Sequence, residues 1–313
     1  MDRAAAGSVG RNRLDMVWLE LTTRCNLHCR HCYADAGVSA PLQGRMSLDD
    51  WLAAIDEALN LGVSAIQFIG GEPTLHPHFR ALLRHVGRAN LSLVEVYTNA
   101  TRLTDDLVGC LKDNGARVAA SFYAEASEVH DAVTLRPGSW HRTVAGLERA
   151  LAADLPVRVG VIETAENKAH VPHAIDFLRR LGIRQIGVDG ERGVGRGRRR
   201  AADTAGEDVS QLCGQCGRNR LCITSTGAIY PCVFARKTAL GDARDGLRSA
   251  LEGAALAGFR AAMELEQRSR RLRLNGSTGG SAFCEPGPTA PIPYPPDEPQ
   301  PDTDGCSPWE RRA

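Results

Sequence analysis

The sequence predicts an α/β fold in which six parallel strands form a partial barrel, followed by a small cysteine-rich extension made of a β-hairpin and a helix. Between residues 16 and 190, nearly continuous apolar runs of strand length alternate with amphipathic segments of helical length. Strands that are apolar on both faces are typical of a parallel sheet covered by helices. Six strand–helix units, rather than the eight of a closed barrel, favour a partial (β/α)6 barrel.

The elements of this barrel can be placed in order along the chain. Strands are predicted at residues 16–22, 64–69, 91–97, 116–122, 156–163 and 184–189. Helices are predicted at residues 47–61, after Pro77, after Thr104, at residues 139–152 and at residues 170–181. The helices after Ser47 and Thr104 each begin with a hydroxyl cap followed by acidic residues in the first turn, which is a typical helix start.

The chain of 313 residues is long enough for one barrel-sized domain and a small appendage. We expect an N-terminal tail, the barrel, the cysteine-rich extension and a proline-rich tail, at residues 1–15, 16–200, 201–274 and 275–313. Proline cannot continue a helix or an interior strand, which sets the last boundary. Within the extension, residues 247–274 are predicted to form one helix with an apolar stripe.

The composition is that of an ordinary globular protein, with 43% hydrophobic and 24% charged residues. A formal net charge of +1 gives no electrostatic reason to expect nucleic acid or acidic lipid as a partner. No apolar run approaches the roughly 18–20 residues that a membrane helix needs, so no membrane association is expected. Ten cysteines in a chain whose polar start does not resemble a secretory signal predict a cytoplasmic protein whose thiols bind metal.

Three cysteines follow the first predicted strand with the spacing C-x3-C-x2-C, at Cys25, Cys29 and Cys32. Three thiols on one polar loop would be reactive and would add nothing to a core, so metal ligation explains them better. They leave a fourth ligand position open or supplied from elsewhere, as in some iron–sulfur sites. A zinc site completed by His28 or His31 is the alternative at this loop.

This loop resembles the signature of the radical S-adenosylmethionine (radical SAM) enzymes. The resemblance implies that Cys25, Cys29 and Cys32 hold a [4Fe–4S] cluster whose fourth iron is left for the methionine end of S-adenosylmethionine (SAM). The residue before the third cysteine is often aromatic in that family, and here it is His31.

The second predicted strand is followed by Gly70, Gly71, Glu72 and Pro73. Taken alone this could be a tight turn, but ligands in parallel sheets bind at the carboxyl ends of the strands. The stretch matches the family's GGE motif, which implies that Gly70, Gly71 and Glu72 contact the amino group of SAM. By the same similarity, the ribose or carboxylate of SAM would contact Asn99 and Ser121, and the strand segment that includes Ile162 would flank the adenine.

A second group of cysteines lies at Cys213, Cys216, Cys222 and Cys232, where the sequence predicts a β-hairpin. Four soft ligands at this spacing indicate either tetrahedral zinc or an iron–sulfur cluster. The segment resembles the start of a SPASM or twitch domain, which implies an auxiliary [4Fe–4S] cluster. Spacing does not decide the four ligands, since Cys284 could replace Cys213 or Cys222. After Cys232 only Cys284 and Cys306 remain, so a second auxiliary cluster is not expected.

Five arginines and three glycines lie between residues 192 and 200, after the sixth predicted strand. They could bind an anionic group. We interpret them instead as a solvated, flexible linker.

The resemblance implies an oxidoreductase or lyase type of enzyme that reductively cleaves SAM to a 5′-deoxyadenosyl radical and abstracts hydrogen from its substrate. A flavodoxin or ferredoxin would donate the electron, and the auxiliary cluster would act as a relay. The short cysteine-rich region resembles enzymes of antibiotic and other natural product biosynthesis that dehydrogenate, epimerise or decarboxylate sugars and nucleosides. Two alternatives stay open: a maturase that cross-links a ribosomally made peptide, and a zinc-binding adaptor.

Overall fold

The structure is a computed structural model that describes residues 14–199, 212 and 216–276. Within these ranges nine strands form one sheet in the order β6-β5-β4-β3-β2-β1-β7-β8-β9. The strands are β1 Met16–Glu20, β2 Ala65–Ile69, β3 Leu93–Thr98, β4 Arg117–Phe122, β5 Val157–Glu163, β6 Gln185–Gly190, β7 Arg220–Thr224, β8 Ala228–Tyr230 and β9 Gly241–Asp242. The helices are α1 Leu48–Asn60, α2 Phe79–Val86, α3 Asp105–Asp113, α4 Ser127–Thr134, α5 Ser139–Ala152, α6 Val171–Arg180, α7 Leu247–Glu252 and α8 Ala254–Gly276. Cys213, Cys284, Cys306 and both predicted tails up to residue 13 and from residue 277 lie outside the described residues.

Strands β1 to β6 are parallel and adjacent in chain order, which confirms the predicted α/β fold with a partial barrel. The helices between them cover one face of the sheet. On β1, Val17 and Leu19 pack into the core beneath these helices, whereas Met16 and Trp18 belong to a second core on the opposite face. This alternation follows from the period of two along a strand.

Two differences from the predicted elements have local causes. Helix α4 was not predicted; it is only eight residues long, and its N-cap residue Ala126 makes no side-chain hydrogen bond to the first turn. It ends at Leu135, whose backbone is left-handed with φ of 53°. The single helix predicted over residues 247–274 is two helices, because Gly253 between them has an extended backbone with ψ of 152°.

The predicted hairpin is present as β7 and β8, which pair antiparallel. Its first strand also pairs parallel with β1, so that Cys222 lies opposite Trp18. The sheet is therefore continuous across the predicted boundary at residue 200, and the cysteines of the hairpin lie against the barrel. The division into separate domains stays a prediction.

A buried ion pair joins two strands on the face of the sheet away from helices α1–α6. The guanidinium of Arg158 on β5 donates to both carboxylate oxygens of Glu95 on β3, at 2.8 and 2.6 Å. The two side chains reach across β4 at Ala119, which is small and lies opposite both Tyr97 and Arg158 in register. Gln67 on β2 donates to the same carboxylate, so one polar group connects β2, β3 and β5.

In the part of the chain that the structure describes, no helix is both long enough and apolar enough to cross a membrane.

Breaking this ion pair should destabilise the protein. Arg158→Met leaves the Glu95 carboxylate charged and 4% exposed, and removing one partner of a buried pair costs about 3–5 kcal/mol of unfolding free energy. Arg158→Met/Glu95→Gln removes the stranded charge but keeps an acceptor for Gln67, so most of the loss should be recovered. Urea unfolding measures both variants, and a double variant as unstable as the single one would show that the charge is not the cause.

Candidate active site at the carboxyl edge of the sheet

The loop that follows β1 carries Cys25, Cys29 and Cys32 to the carboxyl edge of the parallel strands. The loop is closed on itself by backbone hydrogen bonds, from Cys25 N to the Gly37 carbonyl and from Gly37 N to the Thr23 carbonyl, both 3.1 Å long. Cys25 is buried and the other two cysteines are half-buried. The sequence thus places three free thiols on a fixed loop, as predicted.

Each of the three sulfurs accepts hydrogen bonds from the protein. Backbone N–H groups of Leu27 and Ala36 donate to Cys25 and Cys32, each at 3.4 Å. The Tyr123 hydroxyl donates to Cys29 at 3.9 Å and the Asn99 side-chain amide to Cys25 at 3.7 Å. Donors directed at all three sulfurs favour their thiolate form, which is the form that binds iron.

Burial opposes that thiolate form. Desolvation raises the pKa of both Cys25 and Cys29 to about 12. Without a metal the thiols would therefore hold their protons at neutral pH, and bound iron would have to displace them. Three buried or half-buried thiols with directed donors fit an iron–sulfur cluster, because the positive charge of iron compensates for desolvating thiolates.

The two glycines of the GGE stretch lie against this loop. Gly71 N donates to the Thr22 carbonyl at 2.7 Å and Glu72 N to the Arg24 carbonyl at 2.8 Å. A Cβ atom on Gly70 would lie 2.5 Å from the Thr22 carbonyl oxygen, and one on Gly71 would lie 2.2 Å from that of Arg24. The two glycines therefore let the end of β2 approach the cysteine loop, and their predicted contact with the SAM amino group stays a prediction.

Glu72 is fully buried, with its carboxylate directed at β3 and at the turn that follows its own strand. One oxygen accepts from Thr74 N at 3.2 Å, the Thr74 hydroxyl at 2.7 Å and the Thr98 hydroxyl at 2.8 Å, and the other accepts from Asn99 N at 2.8 Å. Burial raises its pKa, while these donors favour the carboxylate. A carboxylate has about four acceptor sites, so these contacts use its capacity. Its predicted contact with the SAM amino group stays a prediction.

Asn99, Ser121 and Ile162 lie at or near the ends of β3, β4 and β5. Asn99 reaches the cysteine loop, since its amide donates to Asn26 Oδ1 at 2.9 Å as well as to Cys25. The Ser121 hydroxyl lies 3.2 Å from that of Tyr97, and the Ile162 carbonyl accepts from the Asn167 side chain at 2.8 Å. All three therefore share the carboxyl edge with the cysteines, and their roles toward SAM stay predictions.

Sequence reasoning missed Arg196, which lies in the basic, glycine-rich segment after β6. Residues Gly195–Arg199 form a 3-10 helix, and Arg196 is buried against the cysteine loop, where Nε donates to the Cys29 carbonyl at 2.8 Å. The interpretation of this segment as a solvated linker was therefore wrong at Arg196. The available signal was that the whole segment follows a strand, where parallel sheets place functional groups, and this signal does not single out Arg196 among the arginines of the segment.

The second group of cysteines packs on the face of the sheet away from helices α1–α6. Cys216, Cys222 and Cys232 are buried together with Trp18 and Phe259. A hydrogen bond from the Cys216 thiol to the Cys232 sulfur lowers the pKa of Cys232, whereas burial raises the pKa of Cys222. Three of the four predicted ligands are thus gathered, and Cys213 lies outside the described residues.

A site for a single metal ion is distinct from a site for an iron–sulfur cluster. Within residues 14–199, 212 and 216–276, no three His, Cys, Asp or Glu side chains are grouped so as to hold one ion.

Aromatic and charged side chains connect the two groups of cysteines. Arg236, in the segment after Cys232, forms a salt bridge with the buried Glu20 at the end of β1. Its guanidinium also lies 5.6 Å from the ring centroid of Tyr33 and 5.5 Å from that of Tyr230. Because Tyr33 follows Cys32 directly and Tyr230 lies on the hairpin, the two groups are linked by packed residues.

The model of the radical SAM superfamily matches residues 19–189 of this chain. The AdoMet-dependent heme synthase of Methanosarcina barkeri is 32% identical over 168 residues, which cover 53% of this chain and 47% of that protein. AlbA, the antilisterial bacteriocin subtilosin biosynthesis protein of Bacillus subtilis, is 28% identical over 181 residues, which cover 57% and 40%. The matched part thus spans less than half the length of either relative.

Among solved structures, Streptococcus suis SuiB bound to its precursor peptide SuiA superposes with a TM-score of 0.64 at 15% identity, over 80% of this chain and 67% of that one. At this identity the likeness concerns the fold.

Gly71→Ala should disturb the cysteine loop. The added Cβ would lie 2.2 Å from the Arg24 carbonyl oxygen and 2.9 Å from Ala36 Cβ, so the loop must move. We expect iron uptake to fall by at least half after anaerobic reconstitution. Gly109→Ala on α3 is the matched control, since its Cβ meets nothing within 4 Å and a helix gains about 0.5–1 kcal/mol from this exchange. Equal iron content in both variants would contradict the role given to Gly71.

Proposed function

The chain belongs to the radical SAM superfamily, and from that premise we propose that Cys25, Cys29 and Cys32 hold a [4Fe–4S] cluster that binds SAM at its fourth iron. One observation carries the proposal: a fixed loop presents three thiols, each with a directed donor, at the carboxyl edge of a parallel sheet. When bound, the cluster and SAM would supply reductive cleavage to a 5′-deoxyadenosyl radical that abstracts hydrogen from the substrate.

The residues of the chain would bind and orient SAM at this edge. The GGE segment lies beside the loop, and Asn99 contacts both the loop and Glu72. We propose that Gly70, Gly71 and Glu72 hold the amino group of SAM, with Asn99, Ser121 and Ile162 along the rest of the molecule. Because Glu72 already accepts four hydrogen bonds, a contact with the ammonium would have to share or replace one of them.

We further propose that Cys216, Cys222 and Cys232 bind an auxiliary [4Fe–4S] cluster together with Cys213. The burial of these three thiols and the hydrogen bond between Cys216 and Cys232 support this proposal. The packed contacts of Arg236 with Tyr33 and Tyr230 join this region to the first loop, which suits an electron relay between two clusters. The zinc-binding adaptor is the competing proposal for these cysteines.

Two substrate classes are proposed. The first is a small sugar-like or nucleoside-like metabolite, which would be dehydrogenated, epimerised or decarboxylated. The second is a ribosomally made peptide, and two comparisons favour it, since one relative belongs to bacteriocin biosynthesis and SuiB was solved with a precursor peptide. In both cases we propose a flavodoxin or ferredoxin as the electron donor and a cytoplasmic setting. Transfer of deuterium from a labelled substrate into 5′-deoxyadenosine would decide between candidate substrates.

Replacing Cys25, Cys29 and Cys32 together by alanine should remove about four irons per chain and abolish the reductive cleavage of SAM, because no other group replaces three thiolates. Iron analysis and quantification of 5′-deoxyadenosine in anaerobic reactions with dithionite measure both effects. Cys110→Ala is the control, because Cys110 packs beside the core on α3 and should not affect either quantity. Undiminished 5′-deoxyadenosine from the triple variant would refute the proposed site.

Replacing Cys216 and Cys232 by alanine should lower the iron content below that of the wild type. Some SAM cleavage should persist, since the first loop keeps its three cysteine ligands. The melting temperature should also fall, because a metal bound between buried ligands contributes to folding. Metal analysis of the purified variant provides the decision. If zinc is lost and the iron content is unchanged, the auxiliary cluster is excluded and the hairpin is a zinc site.

A further inference from the structure

The chain returns to the cysteine loop directly after β6, at Gly195 and Arg196. Gly195 has a left-handed backbone with φ of +61°, and a Cβ atom there would lie 2.3 Å from the carbonyl oxygens of both Cys32 and Tyr33. Glycine is needed at such a position because any side chain would collide with the backbone of the loop. The segment therefore packs directly on the part of the loop that carries two of the three cysteines.

Arg196 bonds to this loop in three ways. Its backbone N–H donates to the Cys32 carbonyl at 2.9 Å, and its side-chain Nε donates to the Cys29 carbonyl at 2.8 Å. Its Nη1 donates to a carboxylate oxygen of Asp35 at 3.0 Å. The Arg196 side chain is 9% exposed and that of Asp35 is 56% exposed, so the cation is buried and its counter-charge is largely in solvent.

The remaining guanidinium nitrogen of Arg196, Nη2, is buried and has no hydrogen-bond partner among the described residues. A buried donor on a charged group is costly when it lacks an acceptor, which indicates an acceptor outside the described residues. The carbonyl groups that accept hydrogen bonds from Arg196 belong to Cys29 and Cys32. The cation therefore lies beside two of the proposed cluster ligands at once.

We propose that Arg196 is a positioning residue that sets the reduction potential of the radical SAM cluster. The inference rests on the proposed function, in which Cys25, Cys29 and Cys32 hold that cluster. Reduction adds one electron from an external donor and makes the cluster more negative by one charge. A fixed cation beside two ligands would stabilise the reduced form, and Nη2 would be free to donate to a cluster sulfur, since net charge and hydrogen bonds to sulfur set such potentials. Asp35 weakens the effect because it is the opposite charge.

Two substitutions should shift the potential in opposite directions. Arg196→Gln removes the cation and should lower the equilibrium constant for one-electron reduction about tenfold, a shift of about 59 mV to more negative potential. Asp35→Asn removes the counter-charge and should shift the potential to more positive values. Arg196→Lys keeps the charge and should restore most of the shift. Arg180→Gln, on the exposed end of α6, is the charge-matched control and should leave the potential unchanged.

The measurement is a redox titration of anaerobically reconstituted full-length protein, followed by the electron paramagnetic resonance signal that changes on addition of SAM, so that an auxiliary cluster is not counted. Iron content is measured on every variant. An Arg196→Gln protein that keeps its iron and its potential overturns the proposal, as does a lysine variant that shifts as far as the glutamine variant. If Arg196→Gln takes up no iron, Asp35→Asn decides, and an unchanged potential overturns the proposal. A wild-type protein without a SAM-responsive signal would refute the proposed function itself.

Discussion

The structure depends on a short backbone pairing between the start of the cysteine loop and the GGE segment. Two hydrogen bonds, from Gly71 N to Thr22 and from Glu72 N to Arg24, fix the loop to the end of β2. The pairing is possible only because Gly70 and Gly71 have no side chains, so the two backbones approach within contact distance. Through Glu72 the same pairing reaches β3, since its carboxylate accepts from Thr98 and Asn99. The cysteine loop is thereby held by three neighbouring strand ends as well as by the backbone hydrogen bonds within the loop.

The cysteine-rich extension is anchored by the same sheet. Because β7 pairs with β1, the hairpin is attached beside the strand that leads into the cysteine loop. Cys222 points to the face that also carries Trp18, and the segment after Cys232 returns to contact Tyr33 and Glu20. This parallel pairing gives the two groups of cysteines a fixed relation within one sheet.

Much of this arrangement follows from local sequence, and the rest follows from contacts between distant residues. Strands β1–β6 and helices α1 and α3 were predictable because periodicity and caps are local signals, and Cys25, Cys29 and Cys32 were predictable because their spacing is local. The bond from Arg196 to Cys29 spans 167 residues, and that from Asn99 to Cys25 spans 74. Nothing near Arg196 in the sequence distinguishes it from the other arginines of its segment. Only the tertiary fold, which brings the chain back to the cysteine loop after β6, places Arg196 beside the cysteines.

Burial and charge at the cysteine loop act against each other, and their balance explains why so many donors surround it. Desolvation raises the pKa of Cys25 and Cys29 to about 12, so burying three thiolates without compensation would be unfavourable. Glu72 adds a further unfavourable charge near Cys25, while Asn99, Tyr123 and backbone N–H groups donate to the sulfurs. Arg196 is the buried cation on the side of Cys29 and Cys32. Metal binding must displace the thiol protons. Because the loop is desolvated and rich in hydrogen-bond donors, its thiolates would bind a positively charged iron–sulfur core more readily than they bind protons. The same burial keeps water away from the sulfurs, and hydrogen bonds, burial and net charge are the variables through which a protein sets the potential of such a cluster.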